Sequence, residues 1–178
     1  MATGHSFKSP EMIIAISALI VSLITAFASI YSAFIDRAYA RSSVWPRLEI
    51  HRTYDASKAY FSYGVNNKGT GPAVIKYARL SYNDKVVKSW PEYLQMRIGR
   101  DVGHVQSHIG SKVLSAGESI KPIETRDKEV AILLADEDGL QIELCYCSIY
   151  DECWLLDRAN APTPVAQCTI DEKLRFLQ

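Results

Sequence analysis

The residues best equipped for chemistry are four cysteines, Cys145, Cys147, Cys153 and Cys168, gathered near the end of a 178-residue chain. On a strand, Cys145 and Cys147 fall on one face, opposite Leu144 and Tyr146. A turn at Asp151-Glu152 brings Cys153 back toward Cys147. Three chemistries are open to such a cluster. The thiols can pack as small hydrophobes, pair as one or two disulfides in an oxidising compartment, or hold a metal. Against the last, C-x-C followed by unequal spacings matches no common zinc template.

Other candidates are weaker. His104 and His108 have the i, i+4 spacing of a helical metal pair, but Gly103 and Gly110 bracket them, which predicts a loop. Gly69-Thr70-Gly71 after Lys68 lacks the glycine spacing and the Lys-Ser/Thr of a phosphate loop, so it reads as a turn. There is no nucleophile elbow and no recognisable triad or motif-placed carboxylate pair. The expectation is a protein that is not an enzyme, with no metal or other cofactor.

These residues must be positioned by elements of two kinds. From Met12 to Ile35 run 24 residues without a charge. As a helix they span about 36 Å, enough to cross a ~30 Å hydrocarbon core. A signal peptide is the main rival, because Ala38-Tyr39-Ala40 has the small-x-small form of a cleavage site. As an anchor, the segment is flanked by Lys8 on one side and by Arg37, Arg41 and Arg47 on the other. That bias predicts an inner-membrane, single-pass protein with its C-terminal part in the cytoplasm, which in turn predicts reduced thiols.

Within the apolar run, Ala15, Ala18, Ser22, Thr25, Ser29 and Ser32 recur at alternating spacings of three and four, a heptad seam of small residues. Such a seam permits close helix approach in lipid and predicts self-association into a homo-oligomer.

The remainder reads as short strands separated by turns, the pattern of an all-β sandwich or barrel. Strands are expected at 44–51, 59–65, 73–82, 85–90, 111–114, 119–123, 140–150 and 153–156, with short helices at 91–98 and 127–135. The organisation is a tail at 1–11, a transmembrane helix at 12–35, a basic linker at 36–43, and a mainly β domain at 44–178 with one or two short helices. Lys+Arg and Asp+Glu are 20 each, so direct sequence-specific nucleic-acid binding is not expected. The charge is lopsided, +8 over residues 37–100 and −7 over 101–178. Either the halves neutralise one another within one sandwich, or a basic surface faces lipid headgroups and an acidic one faces a partner.

Val44-Trp45-Pro46 and Asn67-Lys68-Gly69-Thr70-Gly71-Pro72-Ala73, behind an N-terminal membrane segment, make the chain resemble a group of small bacterial membrane-anchored β-sandwich proteins. Some of these resemble retron-associated phage-defence transmembrane effectors. The resemblance implies a self-associating effector of an abortive-infection system, held in check by a protein or ribonucleoprotein partner and depolarising the inner membrane when released. Effectors of that kind often carry two membrane helices; this chain has one. Two other readings stand beside it: a passive membrane-anchored module that recruits a soluble partner, and a periplasmic disulfide-bonded β domain.

Overall fold

A computed structural model describes residues 10–100, 102–136 and 139–178. The chain divides at Ser42/Ser43 into two units.

The first unit is α1 (Pro10–Ser43), one continuous helix with no buried residue, long and apolar enough to cross a membrane. It runs beyond the apolar stretch through the residues expected to form a basic linker. Asp36, Arg37 and Arg41 end the apolar run without ending the helix, since the arginines and the alanines between them, Ala38 and Ala40, are strong helix formers. At 1.5 Å per residue its length is about 51 Å, well over the thickness of a hydrocarbon core.

The second unit is a two-sheet β domain, as the strand pattern predicts. Its strands are β1 (Leu48–Asp55), β2 (Tyr60–Asn67), β3 (Ala73–Tyr82), β4 (Lys85–Val87), β5 (Val105–Gln106), β6 (Val113–Leu114), β7 (Ser119–Thr125), β8 (Leu140–Cys147), β9 (Cys153–Asp157) and β10 (Thr163–Val165). One antiparallel sheet has the order β1-β2-β7-β5; the other has β10-β9-β8-β3-β4, with β6 beside β3. Alternation along the strands sends Ile50, Val65, Leu144 and Leu156 into the shared core, and in β3 an irregularity between Ile75 and Tyr77 shifts the alternation so that Ile75 and Leu80 both reach it.

Two helices complete that core. In α2 (Trp90–Ile98) the Ser89 hydroxyl accepts from Glu92 N, Pro91 occupies the first turn, and Gly99 ends the helix at φ 80°. These are the start and stop features that make it readable in the sequence. Trp90 lies against Phe176, Tyr93 and Tyr63, with ring centroids 5.2, 6.1 and 6.4 Å away. In α3 (Lys128–Ala135) the Asp127 carboxylate accepts from Glu129 N and Val130 N, and Val130, Ala131 and Leu134 are buried.

The opposed charges of the two halves meet in pairs. Arg79 lies 3.3 Å from Glu143 across β3 and β8, Arg97 lies 3.4 Å from Asp136, and Arg100 lies 2.6 Å from Glu129. Part of the lopsidedness is thus internal neutralisation.

Candidate functional site: a four-cysteine cluster

The pole of the β domain where the chain enters is built around Asn67. Its side-chain oxygen accepts from Arg47 N (3.2 Å) and Gly69 N (3.0 Å), and its amide donates to Gly71 O (2.8 Å) and Leu114 O (3.0 Å). All four hydrogen-bonding positions of a fully buried amide are filled, as burial demands. The turn at Gly69-Thr70-Gly71 is therefore structural. A Cβ on Gly71 would overlap the Val44 carbonyl, and one on Gly69 would overlap that of Trp45. Glycine is needed here for close backbone approach.

At the same pole, β8 and β9 pair in register Cys147↔Cys153 and Cys145↔Leu155, while β3 places Tyr77 opposite Cys145. Leu144 and Tyr146 point into the core and the cysteines lie on the other face, as the alternation predicts. That outer face is nonetheless covered: Cys145, Cys147 and Cys153 are 1%, 2% and 7% exposed.

All four cysteines are bonded, Cys145 to Cys168 and Cys147 to Cys153. This corrects the expectation of reduced thiols that followed from the arginine flank, and selects the disulfide alternative. The first bond ties the irregular segment after β10 to the sheet; the second links the two strands of one hairpin. The two bonds touch, with Cys147 Sγ 3.7 Å from Cys168 Sγ.

The other candidates are not brought into a site. His104 precedes β5 in a loop, its Nδ1 2.9 Å from Val102 O and its Nε2 3.2 Å from Gln106 Oε1. No metal-like group of His, Cys, Asp or Glu among the described residues includes either histidine. On α1, the seam residues Ala15, Ala18, Ser22, Thr25, Ser29 and Ser32 fall within an arc of about 100° of one continuous helix. The hydroxyls of Ser22, Thr25 and Ser29 donate to Leu19 O, Val21 O and Thr25 O of that same helix. Lys8, which entered the orientation argument, lies outside the described residues.

A groove of about 700 Å³ opens beside Ile50, His51, Arg52, Arg79, Glu143 and Arg158. Its guanidiniums are engaged: Arg52 donates to Ala135 O (2.7 Å), Arg158 to Leu140 O (2.7 Å), and Arg79 pairs with Glu143. It is not built as an anion cradle. Burial, reinforced by Lys68 and Lys121, holds the His51 imidazole below its ordinary pKa, so it adds no positive charge to the groove near pH 7.

Sequence reading missed Asn160, which caps the edge of β1 from the turn after β9. The signal was available only as a polar turn, Asp157-Arg158-Ala159-Asn160. No protein family, curated protein or solved structure matches the chain.

Proposed function

We propose that the protein is a membrane-anchored binding module whose β domain lies on the extracytoplasmic, oxidising side. Here α1 is an uncleaved anchor, and the domain acts by holding a partner rather than by catalysis. The observation that carries this reading is the pairing of all four cysteines as two disulfides. Disulfides persist where thiols are oxidised and are opened in the cytoplasm. Arg37, Arg41 and Arg47 pull toward the opposite orientation, but domains of this length translocate largely regardless of charge.

The depolarising-effector reading gains no support from the geometry. A water-filled path through a bundle needs polar side chains free to face it. Ser22, Thr25 and Ser29 instead turn their hydroxyls onto their own backbone, which suits an apolar surround.

Fusions of alkaline phosphatase and of a fluorescent protein to Gln178 test the orientation. Active phosphatase with a dark fluorophore is expected. A bright fluorophore with inactive phosphatase overturns the reading.

A further inference from the structure

The four sulfurs are not two separate staples. Cys145 and Cys147 stand two residues apart on one strand face, Cys153 faces Cys147 across the hairpin, and Cys168 arrives from the following segment. The sulfurs of Cys147, Cys153 and Cys168 all lie within 4.8 Å of one another, and Cys145 joins them through its bond to Cys168.

We propose that in the reduced chain these four cysteines form a closed tetrathiolate site for a zinc-class divalent cation. Redox state then selects between two ways of locking the same face of the domain: two disulfides, or one metal ion.

The spacing supports it. Four thiolates at about 2.3 Å from a tetrahedral ion stand about 3.8 Å from one another. The contact between the two disulfides, Cys147 Sγ to Cys168 Sγ, is already 3.7 Å. Of the other edges, the two bonded pairs must part and Cys145 Sγ, which lies outside the 4.8 Å group, must swing toward Cys147 and Cys153, movements of the order of side-chain rotation about χ1.

Burial supports it too. The three strand cysteines are nearly inaccessible, so the ion would be enclosed with no open coordination position, as structural sites are. The ligand set is soft and uniform, which favours zinc over magnesium or calcium. The C-x-C spacing hid this from template matching, because the fourth ligand comes from a segment with no regular structure. The site belongs to the reduced chain, so it stands whichever side of the membrane the domain occupies.

The chemistry balances with a two-electron reductant. A trialkylphosphine and one water convert each disulfide to two thiols and leave the phosphine oxide. The four thiols then lose up to four protons as the divalent ion forms four metal–sulfur bonds. Binding therefore strengthens as pH rises.

The test uses the full chain purified in detergent, reduced anaerobically with a trialkylphosphine and titrated with cobalt(II). Sulfur-to-cobalt charge transfer and tetrahedral ligand-field absorption saturating at one ion per chain, and bleached by zinc, are expected. The unreduced chain should show neither. Cys168→Ser should weaken cobalt binding by more than the roughly 10–100-fold that loss of a mere supporting partner costs. Because that variant can also misfold, a second measurement uses only the natural chain. One equivalent of zinc should protect all four thiols of the reduced protein from maleimide. Octahedral cobalt absorption, or four thiols labelled as fast with zinc as without, overturns the proposal in favour of simply packed thiols.

Discussion

The Asn160 side chain pairs with both main-chain groups of Ile50: its oxygen accepts from Ile50 N and its amide donates to Ile50 O, each at 2.8 Å. One side chain thus imitates a neighbouring strand at the open edge of β1. An unpaired edge is a template for association with another chain. Asn160 blunts it and, at φ 57°, sits in the left-handed conformation that asparagine tolerates better than most residues. The link also joins the two sheets at the side where the groove opens.

Asn160→Gly keeps that backbone conformation and deletes both hydrogen bonds. A loss of about 1–3 kcal/mol is expected in urea unfolding, with increased self-association from the uncovered edge. An unchanged midpoint in both assays would show that water replaces the amide at no cost.

The two disulfides should contribute unequally. Cys145–Cys168 closes a chain separation of 23 residues, and Cys147–Cys153 one of six. Loop-closure entropy gives about 3 kcal/mol for the first and about 2 for the second. Cys145→Ala with Cys168→Ala should therefore destabilise more than Cys147→Ala with Cys153→Ala. It should also expose residues 166–171 to limited proteolysis, because that bond is what ties them to β8, whereas Glu172 and Arg175 keep their own hydrogen bonds to Lys88 and Lys76. The reverse order in either assay would assign the hairpin bond the larger role.

His51 makes stability depend on pH. Its folded pKa is lowered, first by burial and then by Lys68 and Lys121, with Glu49 acting the other way. The unfolded chain therefore takes up a proton near pH 6.5 that the folded one refuses. This contribution is present above that pH and is lost as pH falls through 6.5 toward the lowered value. His51→Gln should flatten the unfolding midpoint between pH 7 and 5. The imidazole also fills the space over Gly64, its cross-strand partner, where a Cβ would overlap the ring. Gly64→Ala should displace it and raise the histidine pKa measured by NMR titration.

What the sequence makes legible follows from where the determining interactions lie. α2 and α3 are set by residues within one turn, Ser89, Pro91, Gly99 and Asp127, so their ends are readable to within one residue. β3 is readable over its full Ala73–Tyr82 length because a turn bounds it on each side. By contrast, β5 and β10 are strands of two and three residues, and one contains Pro164. They exist because β7 and β9 offer edges to them, which no local pattern records. Cysteine pairing has the same origin. Four cysteines allow three connectivities, and the path of the segment carrying Cys168 decides among them. Trp90, expected to end a strand, instead opens α2, because the Ser89 cap competes successfully for it.

The α1 seam remains the expected self-association surface, and the hydroxyl geometry sharpens its test. Ser22 and Ser29 already bond to carbonyls of their own helix, so they contribute small size to a contact more than hydrogen bonds across it. In lipid, close backbone approach is the main source of attraction, and interhelical hydrogen bonds average only about 0.6 kcal/mol. Ser22→Ala with Ser29→Ala should therefore retain crosslinking in native membranes. Ser22→Leu with Ser29→Leu holds the backbones apart while keeping the segment apolar, and should abolish it. Ile20→Leu with Ile24→Leu changes neither size nor seam and is the control. If the alanine pair fails as completely as the leucine pair, the hydroxyls must leave their own helix to bridge a partner. If the leucine pair crosslinks like the control, the six small residues are no interface.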